Sequence, residues 1–78
     1  MKVTVKVPRL GLTVEDAMVM EWHKQVGDAV EAGEVIGVIE ADKVTVELES
    51  PATGTLTEII GQVGETYKIG APLAVLDV

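Results

Sequence analysis

Hydrophobic and polar residues alternate strictly between positions 44 and 49, in the run Val-Thr-Val-Glu-Leu-Glu. Successive side chains of a β-strand point to opposite faces, so this run predicts a half-buried strand with Val44, Val46 and Leu48 facing inward. Similar short apolar runs recur along the chain, and glycine or proline separates them. Together these runs predict eight strands, at residues 2–7, 17–23, 29–30, 35–41, 44–49, 54–60, 66–67 and 72–77.

The composition supports an all-β chain. Valine, isoleucine and threonine account for 26 of the 78 residues, and these β-branched side chains favour strands over helices. Short strands that are separated by frequent turn residues are typical of a small sandwich or barrel. The length allows one small domain and argues against a self-contained enzyme with both a substrate pocket and a catalytic apparatus.

An internal repeat divides the chain into two similar halves. When the sequence is shifted by 37 positions, residues 25–28 (Gln-Val-Gly-Asp) fall on residues 62–65 (Gln-Val-Gly-Glu), and Gly33 falls on Gly70. Repeated sequence units form repeated structural units. The repeat therefore predicts two similar sheets that are related by a pseudo-twofold axis.

The repeat also resolves an ambiguity in residues 15–26, which are good helix formers by intrinsic propensity. Their counterpart in the second half, residues 53–60, has the composition of a strand. Similar halves are expected to fold alike, so both segments are predicted to form strands.

The charge is distributed unevenly. The formal net charge is −7, and residues 28–49 hold seven acidic residues but one basic residue, Lys43. An acidic surface repels phosphate groups, which argues against nucleic acid or an anionic membrane as a partner. The absence of cysteine excludes disulfides, thiol nucleophiles and cysteine-ligated zinc, and no metal site is expected. The chain contains neither 18 consecutive apolar residues nor the apolar core of a signal peptide.

The predicted strands 35–41 and 44–49 are separated only by Asp42 and Lys43, which predicts a tight hairpin with Lys43 at its tip. Two-residue hairpin loops prefer Asn-Gly, Asp-Gly or Gly-X, because their central residues need positive φ angles. Asp-Lys matches this preference poorly, and departures from local rules are expected at functional positions. On these residues alone, a solvated lysine on an acidic hairpin remains the alternative to a functional lysine.

The sequence around this hairpin resembles the lipoyl-attachment motif, through residues 40–47 (Glu-Ala-Asp-Lys-Val-Thr-Val-Glu) and 50–54 (Ser-Pro-Ala-Thr-Gly). Residues 8–13 are similar to that family's opening strand and loop, and Trp22 and two Gly-acid pairs match its middle. The resemblance covers essentially the whole chain. It implies a lipoyl domain of a 2-oxo-acid or acetoin dehydrogenase complex, folded as a flattened barrel or sandwich of two four-stranded antiparallel sheets with quasi-twofold symmetry.

Residue roles follow from the resemblance at the matched positions only. Lys43 would carry lipoic acid in an amide linkage. Glu40, Asp42, Val44 and Gly27 would contribute to recognition by the lipoylating enzyme. The loop of residues 8–16 would lie beside the hairpin and help partner enzymes to recognise the domain.

The resemblance also implies partners and a setting. The lipoyl arm would carry acyl groups and reducing equivalents between a 2-oxo-acid or acetoin dehydrogenase component, an acyltransferase core and lipoamide dehydrogenase, after attachment by a lipoate-protein ligase. The domain would not be an enzyme on its own. Residues 1–78 would form a single domain at the N-terminus of a longer dihydrolipoamide acyltransferase chain, in the cytoplasm, or in the mitochondrial matrix of a eukaryote.

Two alternatives remain open at this point. A biotinyl carrier domain of a carboxylase belongs to a related family, but that family has Met-Lys-Met at the tip, where this chain has Asp42, Lys43 and Val44. The second alternative is an unmodified barrel that serves only as an interaction module.

Overall fold

The computed structural model describes residues 1–9, 15–42 and 44–78, and its regular elements in these ranges are all β-strands. The middle of the predicted loop and the predicted tip residue Lys43 lie outside the described residues. Eight strands are present in the described ranges, and their ends differ from the predicted bounds by one residue at most. The strands are β1 (Lys2–Lys6), β2 (Asp16–Trp22), β3 (Ala29–Val30), β4 (Val35–Ala41), β5 (Val44–Glu49), β6 (Gly54–Ile59), β7 (Thr66–Lys68) and β8 (Pro72–Asp77).

The strands form two four-stranded antiparallel sheets, which confirms the predicted all-β fold class. One sheet, with strand order β5-β4-β2-β7, contains the hairpin and is called the tip sheet. The other, with order β1-β8-β6-β3, contains both chain ends and is called the terminal sheet. The domain is flattened, with principal extents of 32 × 21 × 17 Å. Among the described residues, no helix is long and apolar enough to cross a membrane.

The segment with high helix propensity forms strand β2, as the repeat predicted. Ala17 and Val19 are buried and alternate with the more exposed Asp16, Met18 and Met20. This period of two is the burial pattern of a strand that has one face on the core. Tertiary pairing with β4 and β7 therefore overrides the intrinsic preference for a helix.

The pseudo-twofold relation extends to individual hydrogen-bonded pairs. Met18 pairs with Glu40 in the tip sheet, and the residues 37 positions later, Thr55 and Asp77, pair in the terminal sheet. Each ladder also has one register shift, after Val19 in β2 and after Leu56 in β6, and these two residues are again 37 positions apart. The repeat that is visible in the sequence is therefore also a repeat of strand register.

Four turn glycines follow the same repeat. Gly27 has a φ of 100° and Gly64 a φ of 89°. The N–H of Gly27 donates to the carbonyl of Leu56, and the N–H of Gly64 donates to the carbonyl of Val19. These two acceptors, like the two glycines, are 37 positions apart. Gly33 and Gly70 form the second pair, with φ angles of 85° and 87°. Residues with a side chain rarely adopt such angles, so the turn conformation explains why these repeat positions are glycine.

A single core fills the space between the sheets. Both halves supply equivalent members, and Ile36, Ile39, Leu56, Leu73 and Leu76 are almost completely inaccessible to solvent. Trp22 is half-buried against this core, and its indole N–H donates to the carbonyl of Gly61 at 2.8 Å.

The inward face of β5 differs in part from its prediction. Leu48 is buried and Val46 packs against the core. Val44 lies on the same side of the sheet as the buried Ala41 with which it pairs, as predicted, but it is 61% exposed and is not part of the core. It pairs with Ala41 on the last rung of the hairpin, where few neighbouring side chains can cover it. The alternation of β5 therefore continues past the edge of the core.

Candidate functional site

The candidate site is the hairpin that joins β4 and β5. Ala41 pairs with Val44 on its last rung, so the chain makes the connection with two residues, Asp42 and Lys43. Ala41 is buried, whereas Asp42 and Val44 are exposed. The chain therefore leaves the core at Ala41, and the described residues on both sides of Lys43 are exposed to solvent.

Asp42 has a φ of 48°, which lies in the left-handed region. A two-residue hairpin loop needs a positive φ at its first central position, so the loop geometry imposes this angle. Asparagine and aspartate tolerate the left-handed region better than other residues with side chains. Asp42 thus adopts the required conformation despite the poor match of Asp-Lys to the usual loop sequences, and the hairpin holds a local strain at its tip.

Glu40 lies one rung below the tip, on the side of the tip sheet that faces away from the core. Its buried neighbours Ile39 and Ala41 point into the core, so the partly exposed Glu40 side chain points outward. Its neighbours across the ladder are Thr45 and Met18. The structure therefore brings together three predicted site residues, Glu40, Asp42 and Val44, at one end of the tip sheet.

Gly27 lies in the turn between β2 and β3, beside the terminal sheet. Its N–H donates at 2.7 Å to the carbonyl of Leu56, which pairs with Leu76 in the terminal sheet. A Cβ built on Gly27 would have no neighbour within 4 Å, so the positive φ is what demands glycine there. The structure accordingly does not bring Gly27 together with the tip residues, and it gives this glycine a structural reason of its own.

Both ends of the predicted recognition loop lie near the tip. Val7, which precedes this loop, exchanges backbone hydrogen bonds with Gly70 and Ala71. At the other end of the loop, the carbonyl of Glu15 accepts a hydrogen bond from Ile69. Since β2 then pairs with β4 at the hairpin end, the described residues that flank the loop share this end of the domain.

The ion pair with resolved pKa changes lies outside the tip. Lys24 Nζ lies 2.9 Å from Glu34 Oε2. The backbone N–H of Glu31 donates to Glu34, and this bond together with Lys24 lowers the pKa of Glu34 below its ordinary value. The hydrogen bond to Glu34 and its charge raise the pKa of Lys24. Both effects stabilise the turn that enters β4.

His23 is exposed, and its ring nitrogen lies 2.8 Å from Glu21 Oε1. A groove of about 410 Å³ is lined by residues of β1 and β5 and by Pro8 and Pro51. The tip residues Asp42 and Val44 are not among its lining residues. The described part of the tip is an exposed projection on a rigid sheet, which suits a covalently attached arm better than an enclosed ligand.

Sequence analysis did not single out the cross-strand neighbours of Glu40. Met18 and Thr45 flank it on the outer face of the tip sheet. The signal was available, because the period-two pattern of β2 places Met18 outward and the repeat fixes its register.

Comparison with known proteins agrees with this geometry. A family model described as biotin-requiring enzyme, covering biotin and lipoyl attachment domains, matches residues 3–76. The solution structure of the lipoyl domain of the 2-oxoglutarate dehydrogenase complex from Azotobacter vinelandii is 36% identical, with a TM-score of 0.79, and the match covers 97% of this chain and 96% of that one. This chain belongs to the lipoyl domain family.

Curated relatives of this lipoyl domain include a dihydrolipoyllysine-residue succinyltransferase component of the 2-oxoglutarate dehydrogenase complex of Staphylococcus saprophyticus. It is 43% identical over 72 residues, which are 92% of this chain and 17% of the relative. The dihydrolipoyllysine-residue acetyltransferase component of the acetoin cleaving system of Bacillus subtilis is 40% identical over 73 residues, or 94% of this chain and 18% of the relative. The chain therefore spans less than a fifth of the length of these two relatives.

Proposed function

We propose that Lys43 carries lipoic acid in an amide linkage and that the domain presents this group as a swinging arm. The observation that carries the proposal is the two-residue connection between Ala41 and Val44, in a chain of the lipoyl domain family whose one tip lysine is Lys43. When attached, the dithiolane supplies a reducible disulfide that accepts acyl groups and electrons. The domain contributes a rigid base and recognition surfaces, and it works with partner enzymes rather than as an enzyme itself.

The tip residues support recognition by a lipoate-protein ligase. Glu40 and Asp42 place carboxylates on both sides of the last rung, and the exposed Val44 offers an apolar contact. Activation of the lysine amine for amide formation would come from the ligase. Gly27 would contribute a second contact, in the turn beside the terminal sheet, through the backbone conformation that its positive φ allows.

The relatives indicate the wider setting. We infer that the domain is the N-terminal part of a dihydrolipoamide acyltransferase chain that works in the cytoplasm. Its arm would exchange acyl groups with a 2-oxo-acid or acetoin dehydrogenase component and with the acyltransferase core. Lipoamide dehydrogenase would then reoxidise it. The relatives serve 2-oxoglutarate, branched-chain, acetoin and pyruvate systems, so similarity alone does not select the acyl group.

Intact mass spectrometry tests the attachment. The 78-residue chain is co-expressed with a lipoate-protein ligase and, in a parallel culture, with a biotin ligase. We expect one lipoyl group per chain, no biotin, and no addition on the variant Lys43→Arg. Lys24→Arg serves as a matched control, because it replaces a lysine that lies away from the tip, and it is expected to be modified like the parent chain.

Three outcomes would contradict the proposal. A biotin addition on the parent chain would favour the biotinyl alternative, and no addition at all would favour an unmodified interaction barrel. A lipoyl addition that persists in Lys43→Arg would place the attachment on another lysine.

A further inference from the structure

The outer face of the tip sheet has an unusual composition for a solvent-facing sheet surface. In β2, Met18 and Met20 alternate with the buried Ala17 and Val19, so both methionines point away from the core. Val38 and Glu40 of β4 occupy the same face, between buried neighbours. The outward residues of β5 are Thr45, Glu47 and Glu49.

Strand register assembles these side chains into two adjacent rows. One row contains Thr45, Glu40, Met18 and, from β7, Thr66. Nearer the hairpin on the same side of the sheet, Asp16 of β2 pairs with Lys68 of β7. The other row contains Glu47, Val38 and Glu21, with Met20 at the register shift beside them. The result is an aliphatic centre of Met18, Met20 and Val38 with four acidic residues around it, namely Glu21, Glu40, Glu47 and Glu49. We call this surface the acidic methionine face.

The terminal sheet provides an internal control, because pseudo-symmetry gives an equivalent residue for each position. Where the acidic methionine face has Met18 and Met20, the terminal sheet has Thr55 and Thr57. Its two acids, Asp77 and Glu58, are balanced by Lys2 and Lys6 on the neighbouring edge strand. Lys2 and Lys6 stand where the tip sheet has Thr45 and Glu49.

The local ion pairs differ as well. On the terminal sheet, Asp77 Oδ2 lies 3.9 Å from Lys2 Nζ, and Asp77 Oδ1 lies 3.5 Å from the N-terminal amine. On the acidic methionine face, Glu21 lies beside His23. Among the described residues, Glu40, Glu47 and Glu49 take part in none of the ion pairs.

The composition restricts what can cover this face. Four like charges repel a second copy of the same face, an anionic membrane and a phosphate backbone. Threonine and charged residues suit the solvated side of an antiparallel sheet, whereas exposed methionines form polarisable, adaptable contact surfaces for proteins. A protein surface with lysine or arginine around an apolar centre complements both properties.

We propose that the acidic methionine face is a docking surface for a partner enzyme with a basic, apolar-centred surface. This inference rests on the proposed function, since the row of Glu40 and Met18 adjoins the hairpin that would carry the arm. A partner seated on this face holds the base of the arm, and its active site receives the far end. Glu40 belongs both to this face and to the residues proposed for ligase recognition, whereas Met18, Met20 and Glu21 have no proposed part in lipoate attachment. Variants at these three positions therefore test docking separately from attachment.

Nuclear magnetic resonance on the unlipoylated 78-residue chain tests the face without any attached group. The isolated lipoyl domain from Azotobacter vinelandii has a solution structure over nearly the same length, so the chain is suited to this measurement. Isotope-labelled domain is titrated with the dehydrogenase components of 2-oxoglutarate, acetoin and pyruvate complexes. With at least one of them, we expect broadening of the Met18 and Met20 methyl signals and of backbone amides in β2, β4 and β5.

Matched variants separate this face from the rest of the surface. Glu21→Lys and Glu58→Lys make the same charge change at pseudo-equivalent positions, one in each sheet. We expect Glu21→Lys to weaken binding about tenfold and Glu58→Lys to change it less than about twofold. The double variant Met18→Thr, Met20→Thr introduces the residues of the terminal sheet, and we expect a loss of about tenfold with an unchanged fold by circular dichroism.

If Glu21→Lys and Glu58→Lys weaken binding equally, the effect arises from the net charge of the domain and not from this face, and the proposal is overturned. Broadening confined to residues around the tip, or no broadening with any of the three enzymes, would also overturn it. Lipoylation of Lys43 is measured separately by mass. A domain that is lipoylated normally but binds through another surface would therefore refute the docking surface and leave the attachment proposal intact.

Discussion

The hairpin tip and the chain termini occupy equivalent positions in the two sheets. At the tip, Ala41 pairs with Val44, and the chain crosses between them through two residues. In the terminal sheet, Val78 and Met1 occupy the corresponding rung. The backbone N–H of Val78 donates to the Met1 carbonyl at 2.8 Å, and the N-terminal ammonium of Met1 donates to the Val78 carbonyl at 3.0 Å. One ladder is closed by a loop, whereas the other is left open by the ends of the chain.

The two rungs lie at opposite ends of the domain. β1 runs from the open rung at Met1 towards Val7, whose hydrogen-bond partners Gly70 and Ala71 lie at the hairpin end. The termini are therefore at the opposite end of the domain from the tip. A longer chain attached at Val78 would leave from the far end and would not obstruct the tip. The common ladders supply rigidity to both ends, and the residues that break the symmetry are the candidates for function.

The largest expected effect tests whether the two ladders are energetically equivalent. Ile39 and Leu76 are both fully buried and are 37 positions apart. Ile39 lies two rungs from the Ala41–Val44 rung, and Leu76 lies two rungs from the Val78–Met1 rung. Ile39→Ala and Leu76→Ala each create a cavity and are expected to cost about 2–5 kcal/mol of unfolding free energy. Urea denaturation measures both. Since a small domain has only about 5 kcal/mol to lose, either variant will be close to unfolded.

A cost in one ladder of less than half that in the other would show that the halves are not equivalent in stability. The conservative variants Ile39→Val and Leu76→Val provide the control. They remove less volume and are expected to follow the same order with smaller losses.

The two ladders also show what could be predicted from the sequence. Period-two alternation and glycine spacing gave the strands, and the repeat gave both the two-sheet arrangement and the strand assignment of residues 15–26. Burial at the end of a ladder could not be predicted from alternation, so the side of the sheet on which Val44 lies was predicted but its exposure was not. Alternation reports which side of the sheet a residue faces, but the reach of the opposite sheet decides whether it is covered.

The candidate site was predictable only in part. Lys43 and its flanking residues followed from the resemblance, and their assignment remains a proposal. The left-handed Asp42 could be anticipated only as a conflict between Asp-Lys and the loop type. The acidic methionine face depends on pairing between residues that are distant in sequence, such as Met18 and Glu40, so it became visible only with the register.

The next prediction uses the pair Gly27 and Gly64, which have the same positive φ in equivalent turns. Gly27→Ala and Gly64→Ala each force a side chain into this conformation and are expected to cost about 1–2 kcal/mol. Thermal or urea denaturation is expected to give similar losses. If Gly27 also serves ligase recognition, Gly27→Ala alone will slow lipoylation, measured as intact mass against time.

Equal lipoylation rates for the two variants would leave Gly27 with a purely structural role. The rates are compared below the unfolding transition of both variants, so that unfolding does not contribute to the difference.

A smaller effect on stability is expected at Asp42. This residue belongs to the two-residue connection of the tip sheet, and no connection joins Val78 to Met1 in the terminal sheet. Asp42→Gly removes the strain of the positive φ and is expected to raise the unfolding free energy by at most about 1 kcal/mol. Asp42→Asn keeps both the shape and the tolerance for this conformation, so its stability is expected to match the parent chain. Denaturation midpoints measure both. A loss of stability in Asp42→Gly would show that side-chain contacts of Asp42 outweigh the strain.

The smallest effect on stability is expected at Glu34, which forms an ion pair with Lys24. The second half has no equivalent pair, because Gly61 occupies the position that corresponds to Lys24. The hydrogen bond from Glu31 and the nearby Lys24 lower the pKa of Glu34 in the folded state. A lowered folded-state pKa stabilises the fold above the unfolded value of 4.5, and this contribution is lost as the pH falls through the folded pKa. Glu34→Gln is therefore expected to lower the unfolding midpoint slightly at pH 7 and to match the parent chain at strongly acidic pH.

Denaturation at a series of pH values measures this difference, and Glu58→Gln serves as the control. Glu58 is an exposed acid of the second half, and it belongs to none of the ion pairs among the described residues. A difference between Glu34→Gln and the parent chain that persists unchanged at low pH would mean that it arises from shape rather than charge. In that case the Lys24–Glu34 pair would contribute no electrostatic difference between the two halves. The charge difference between the halves would then lie only in the acidic and basic residues on the outer faces of the two sheets.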